Sequence, residues 1–186
     1  MSTEDPQALA EAERIYHEIL SRTPEHDFDP TIERVRRTVD LLGNPQHAYR
    51  VVHLTGTNGK SSTSRMVERL LREHGLRTGR FTSPHLASVR ERIAVDGEPL
   101  SPEAFVAAWH DVAPYVEMVD AQLDAEGQSR LSFFEVLTVM ALAAFVEPGT
   151  PVMSNYIPVL DSATFLAALA VFGAGTLLLV TRGFLH

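Results

Sequence analysis

An α/β fold, a parallel sheet flanked by helices with a glycine-rich phosphate loop, follows from three observations in this sequence. Residues 49–55 (YRVVHLT) form a short β-branched run that stops at Gly56, the mark of a buried strand. Residues 60–74 carry Met66, Val67, Leu70 and Leu71 at helical spacing and end before Gly75. Residues 77–82 (RTGRFT) read as the next strand. Two strands joined by a helix in one unit run parallel, with a right-handed crossover.

The remaining elements follow along the chain. Residues 7–21 place Leu9, Ala12, Ile15, Ile19 and Leu20 on one helical face, between Pro6 and Pro24. A second helix spans 31–42 with Ile32, Val35, Val39 and Leu42 as its face and Gly43 as its stop. The short connection between the two packs them together. Beyond the strand at 77–82, the loop SPHLASVRER leads to a three-residue strand, Ile93–Val95, closed by Asp96-Gly97. Ser101-Pro102 starts a long helix with a capping hydroxyl and a proline at its first position, and a break is expected near Pro114. A further apolar helix covers residues 133–145. The character then changes: residues 148–186 hold two formal charges, Asp161 and Arg182. The expected division is therefore 1–147 and 148–186.

Composition bounds the function. The 186 residues are 45 % hydrophobic, enough for one domain with a real core. No cysteine is present, which excludes disulfide scaffolds, thiol nucleophiles and thiolate metal sites. A net charge of −8 argues against general nucleic-acid binding, which needs a surplus of cations. The acidic start, MSTEDPQALAEAE, has no apolar core and is read as neither a signal nor a transit peptide, so a cytoplasmic location is expected. Fifteen of the 16 cations are arginine, and the one lysine is Lys60.

That lysine sits in the informative segment, Thr55-Gly56-Thr57-Asn58-Gly59-Lys60-Ser61-Ser62. Gly56 and Gly59 allow the backbone, with Thr57 and Asn58, to turn tightly around a polyphosphate. The helix that follows offers its unpaired N–H groups and positive dipole end to the same anion. Lys60 supplies an ammonium for the β- and γ-phosphates of ATP, and the hydroxyls of Ser61 and Ser62 follow it, Ser61 placed to ligate Mg²⁺. The strict G-x-x-x-x-G-K-[ST] pattern fails, because Leu54 stands where it wants glycine. On the residues alone, a plain glycine turn with a solvated lysine is the competing reading.

Four segments in order, FDPTIERV at 28–35, TGTNGKSS at 55–62, FTSPHL at 81–86 with VRERI at 89–93, and LSFFE at 131–135, resemble the folylpolyglutamate synthase and dihydrofolate synthase branch of the Mur-ligase-like, ATP-dependent amide ligases. The resemblance covers roughly residues 10–147 and implies the N-terminal portion of a Mur-ligase-like ATPase domain. It implies ATP, Mg²⁺, dihydropteroate or a reduced folate, and L-glutamate as small-molecule partners, in a reaction passing through an acyl phosphate. It makes Lys60 catalytic, Ser83 a magnesium ligand, and Phe28, Asp29, Phe133 and Phe134 contacts of the pterin. Each has a structural alternative: a turn-forming serine before Pro84, loop residues at 28–29, and a buried helix at 133–145. His85 reads as loop packing, and Arg90 and Arg92 as a solvated arginine face.

After residue 145 the family would continue with a glycine-rich segment carrying a second magnesium carboxylate, then a magnesium-ligating histidine, a carbamoylated lysine and a closing domain. Residues 148–186 do not match, so a truncated or altered form is expected. An ATP-binding module without ligase turnover and a different phosphate-loop enzyme, such as a small-molecule kinase, are the alternatives. The tail itself has two readings. Residues 162–181 are uncharged and about 30 Å long as a helix, enough to touch or cross a membrane. The other reading is a buried helix over 162–172 and a strand, TLLLV, over 176–180. A monomer is expected.

Overall fold

A computed structural model of the chain describes residues 4–24, 31–54, 58–146 and 176–180, the last as backbone alone. Helix α1 (Pro6–Leu20) starts where the Asp5 carboxylate accepts the Gln7 N–H, with proline at its first position. Its buried face is Ala12, Ile15 and Ile19, while Leu9 and Leu20 at the margins of the predicted face stay exposed. Helix α2 (Glu33–Leu41) buries Val35 and Val39 together with Arg34 and Thr38. Strand β1 (Arg50–Leu54) and helix α3 (Lys60–Glu73) flank the glycine loop, and β2 (Thr78–Phe81) follows. A 3₁₀ turn (Val89–Arg92) leads into β3 (Ile93–Val95), which turns at Asp96-Gly97 to β4 (Glu98–Pro99).

Helix α4 (Pro102–Ala125) is capped by Ser101, whose hydroxyl accepts the Ala104 N–H. It runs unbroken through Pro114, contrary to the expected break. An interior proline costs a helix about 3 kcal/mol. Here Trp109 and Val112 before it and Val116 and Val119 after it are all buried on the same core, and that burial outweighs the cost. Helix α5 (Phe133–Ala144) buries ten of its twelve residues, every one from Phe133 to Leu142, and is the centre of the molecule.

The chain is α/β as expected, and the sheet differs from the expected one in a specific way. Strand order is β1-β5-β2-β3-β4, where β5 is Thr176–Val180, and every ladder is antiparallel. Strands β1 and β2 do run in the same direction, as a strand–helix–strand unit requires, because each is antiparallel to β5. They are not neighbours. The crossover leaves room for one strand between them, and the tail segment TLLLV enters it from the opposite direction. This is the strand anticipated by the buried reading of the tail; residues 162–172 lie outside the described residues. No helix among the described residues is long and apolar enough to cross a membrane.

The two faces of the sheet are covered differently. Gly79 and Phe81 face α5: Phe81 lies 5.5 Å from the Phe134 ring, and a side chain at Gly79 would collide with Phe145. Arg80 faces α3 and pairs there with Glu68 at 2.7 Å, both buried. The sheet side of α3 is therefore Ser64 and Glu68, while Met66 and Leu70 are 67 % and 62 % exposed. The apolar face predicted for this helix points partly outward, because a buried ion pair occupies its inner side.

Candidate functional site

The register of the sheet brings the two loops of interest to one edge. His53 of β1 and Phe81 of β2 both pair with Leu177, so the strands end level with each other. Beyond Leu54 lies the glycine loop, and beyond Phe81 the Ser83 loop. Two ladder spacings separate the strands, about 10 Å. Open α/β sheets bind ligands in the crevice outside the carboxyl ends of such strands.

On the β1 side, Gly59 has φ = 76°, a left-handed conformation that favours glycine, and turns the chain into α3. Lys60 is the first residue of that helix and is half-buried, and Asn58, Gly59, Ser61 and Ser62 are exposed. Helices α1, α4 and α5 each begin with a side chain accepting a backbone N–H, from Asp5, Ser101 and Ser132. Helix α3, like α2, begins with no such cap, and unlike α2 it has no acidic residue in its first turn. Its leading N–H donors and dipole end are thus directed to the loop. Thr55, Gly56 and Thr57 lie outside the described residues, as do Phe28 and Asp29.

On the β2 side, Ser83 is half-buried and precedes Pro84 through a cis peptide bond. The Thr82 N–H donates to the Arg92 carbonyl at 2.9 Å, closing the base of the loop. Arg92 is 4 % exposed: its Nε donates to His85 Nδ1 at 2.9 Å, and its guanidinium lies 5.1 Å from the centre of the Phe133 ring. Tyr16 of α1 meets His85 edge-on at 5.9 Å and Phe133 at 6.4 Å. The expected solvated arginine face is corrected here, because Arg92 is enclosed by His85 and Phe133, and Arg90 donates to the Leu100 carbonyl and to Glu4, each at 3.0 Å. Phe134 is buried against Phe81, whereas Phe133 belongs to the Tyr16–His85–Arg92 cluster.

The N-terminus of α5 is pinned from three sides. Ser132 and Glu135 form a reciprocal capping box, and the same Glu135 carboxylate takes Arg34 Nε at 2.9 and 3.1 Å with both side chains buried. The Phe133 N–H donates to the Thr23 carbonyl at 3.0 Å. Arg22 bridges the Asp120 carboxylate, at 2.7 Å, and the Leu131 carbonyl, at 3.0 Å. Sequence reasoning missed Tyr16, Glu91 and Asp120. The first lies four residues from Ala12 on the buried edge of α1, and the second completes Ser88-x-x-Glu91, a capping-box spacing that also occurs at Ser132-x-x-Glu135.

The donors these two segments offer are Lys60 and the hydroxyls of Ser61 and Ser83, whereas Ser62 lines an outer groove of α3 with Arg65, Met66, Arg69 and Leu70. Among the described residues no three His, Asp or Glu side chains gather into a metal cage. That chemistry fits Mg²⁺, which keeps most of its water and takes few protein ligands beside phosphate oxygens.

No family model matches the chain. It is 44 % identical over 145 residues to the dihydrofolate synthase/folylpolyglutamate synthase of Mycobacterium tuberculosis, covering 76 % of this chain and 30 % of that protein. The structure of Mycobacterium tuberculosis folylpolyglutamate synthase complexed with ADP and AMPPCP superimposes with a TM-score of 0.68 at 43 % identity, over 74 % of this chain and 29 % of that one. The structure of an FPGS–AMPPCP–folate complex superimposes at 0.64 and 31 % identity, over 72 % and 32 % of the two chains. The chain thus spans about 30 % of the length of these relatives. The matched part belongs to the folylpolyglutamate synthase and dihydrofolate synthase family.

Proposed function

We propose that residues 1–147 form the nucleotide-facing part of a ligase that joins L-glutamate to the carboxylate of dihydropteroate or a reduced folate. In that reaction the substrate carboxylate attacks the γ-phosphorus of ATP, ADP leaves, and the resulting acyl phosphate is attacked by the glutamate amine with release of phosphate. The observation that supports this reading most directly is the uncapped start of α3, with Lys60 at its first position, after a strand that ends level with the one leading into the Ser83 loop.

Gly56 to Ser62 would cradle the triphosphate, Lys60 placing its ammonium against the β- and γ-oxygens to offset charge as it shifts toward the leaving ADP. Ser61, in the first turn of α3, and Ser83, in the loop after β2, are the residues that would hold Mg²⁺. When bound, that ion neutralises phosphate charge. Phe133, Phe28 and Asp29 are assigned to the pterin, although Phe133 is buried, with the Arg92 guanidinium over its ring and Tyr16 at its side. Phe134 acts from the core beneath it. The reading includes a cytoplasmic, monomeric chain whose partners are small molecules.

A second reading, a nucleotide-binding module without ligase turnover, rests on residues 148–186, whose sequence departs from the family's pattern where a second magnesium carboxylate is expected. Residues 148–186 stand outside the ligase-like part in both. One assay separates them: ADP formation from MgATP with dihydropteroate or tetrahydrofolate, with and without L-glutamate. Glutamate-dependent ADP formation supports the ligase; MgATP binding without it supports the module.

A further inference from the structure

The loop from Ser83 to Ser88 owes its shape to two adjacent side chains from the turn that follows it. The Glu91 carboxylate accepts three consecutive backbone N–H groups, those of Leu86, Ala87 and Ser88, each at 3.0 Å. Arg92 holds the other end of the loop through His85 Nδ1 and is itself fixed over Phe133. A run of successive N–H groups converging on one anion is a preorganised nest, here filled by the chain's own carboxylate. Those three bonds, the Leu86 one foremost, hold the Glu91 carboxyl below its ordinary value of 4.5.

Burial does not explain this shape. Leu86 is 93 % exposed, the most exposed large apolar side chain among the described residues. A loop collapsing under the hydrophobic effect would cover that leucine; this one presents it to solvent, so polar bracing outweighs collapse. The Ser88–Glu91 capping box ties the brace to a 3₁₀ turn whose Val89 and Arg92 are buried, so the brace rests on the core.

We infer that Glu91 and Arg92 are positioning residues, which hold loop 83–88 in its ligand-ready form before any ligand arrives, so that Ser83 and His85 stand ready at the sheet edge. The identity of that ligand, MgATP, rests on the function proposed above; the brace itself does not.

Two measurements on the full chain separate the claims. Amide hydrogen exchange in the absence of ligand tests the brace: Leu86, Ala87 and Ser88 are protected in the wild type, and Glu91→Gln accelerates their exchange at least tenfold. Exchange at unprotected rates in the wild type overturns the inference. Calorimetric ATP binding across a Mg²⁺ series then tests its consequence. Glu91→Gln raises the Mg²⁺ concentration for half-saturation about tenfold, the scale of a lost charge-assisted bond, and leaves Mg²⁺-free ATP binding unchanged. Glu91→Asp, which keeps the charge and shortens the reach, behaves like Glu91→Gln; full recovery by aspartate assigns the effect to charge alone and overturns positioning. If the wild type shows no Mg²⁺-dependent ATP binding, the proposed function falls while the exchange result still decides the brace.

Discussion

Helices α5 and α3 pack on opposite faces of one sheet and bury opposite kinds of surface. Helix α5 is wrapped in apolar side chains, with Leu137, Val139, Met140 and Leu142 fully enclosed. Its one buried charge, Glu135, is matched by Arg34 and by its own capping box. Helix α3 turns Ser64 and Glu68 inward and Met66 and Leu70 outward. The first arrangement makes a finished core. The second gives up apolar burial and ties α3, through Glu68–Arg80, to the strand that leads into the Ser83 loop. Apolar burial is thus concentrated in the helical layer, whereas α3 is held to the sheet by a buried ion pair.

The largest expected effect breaks the finished side. Leu137→Ala removes a fully buried side chain from α5 and costs about 2–5 kcal/mol, measured by urea unfolding. A loss below about 1 kcal/mol would mean that this layer is not the core.

Next in size, Glu68→Ala leaves the Arg80 guanidinium buried and unpaired, at a cost of about 3 kcal/mol. Replacing both, as Glu68→Leu with Arg80→Leu, restores most of that stability while MgATP binding stays weakened. If the double variant binds MgATP like the wild type, the pair has no aligning role. One Glu68 oxygen and the Thr78 hydroxyl have no hydrogen-bond partner within this polar layer, so the pair contributes little net stability.

A smaller effect sharpens the contrast. Met66→Gln and Leu70→Gln on the outer side of α3 change unfolding free energy by no more than about 0.5 kcal/mol, since both side chains are mostly in water already. Larger losses would show that this stripe is covered in the working chain.

The smallest effect is in pH. His53 faces the α5 side from β1, and partial burial lowers its value from 6.5. The unfolded chain then binds a proton that the folded chain resists, so this contribution is complete above pH 6.5 and is lost as pH falls through the lowered folded value. His53→Gln flattens that part of the stability–pH curve; an unchanged slope assigns it elsewhere.

Much of this was legible in the sequence because local chemistry decided it. The Gly59 turn, the proline and hydroxyl start of α4 at Ser101-Pro102, and the strand–loop–helix order around Lys60 are set by residues within a few positions of one another. What escaped depended on partners distant in the chain. Nothing near Arg34 in the sequence announces Glu135, which lies 101 residues away and meets it in the core. Arg92 reads as solvated until Phe133 covers it. Helical periodicity in 60–74 located α3 but gave its apolar stripe no direction, because Glu68 and Arg80 had to be paired first. Strand order escaped in the same way: β1 and β2 run in the same direction, as the sequence implied, but nothing local announced that TLLLV would pair between them.

The central claim is that α3 begins a working phosphate site on an otherwise self-sufficient helical body. Isothermal titration of the full chain with MgATP tests it most directly, with Lys60→Ala as the comparison. The expected result is Mg²⁺-dependent, one-to-one binding that Lys60→Ala weakens at least tenfold while its urea midpoint stays that of the wild type. Wild-type binding that is absent, or that Lys60→Ala leaves intact, would contradict it.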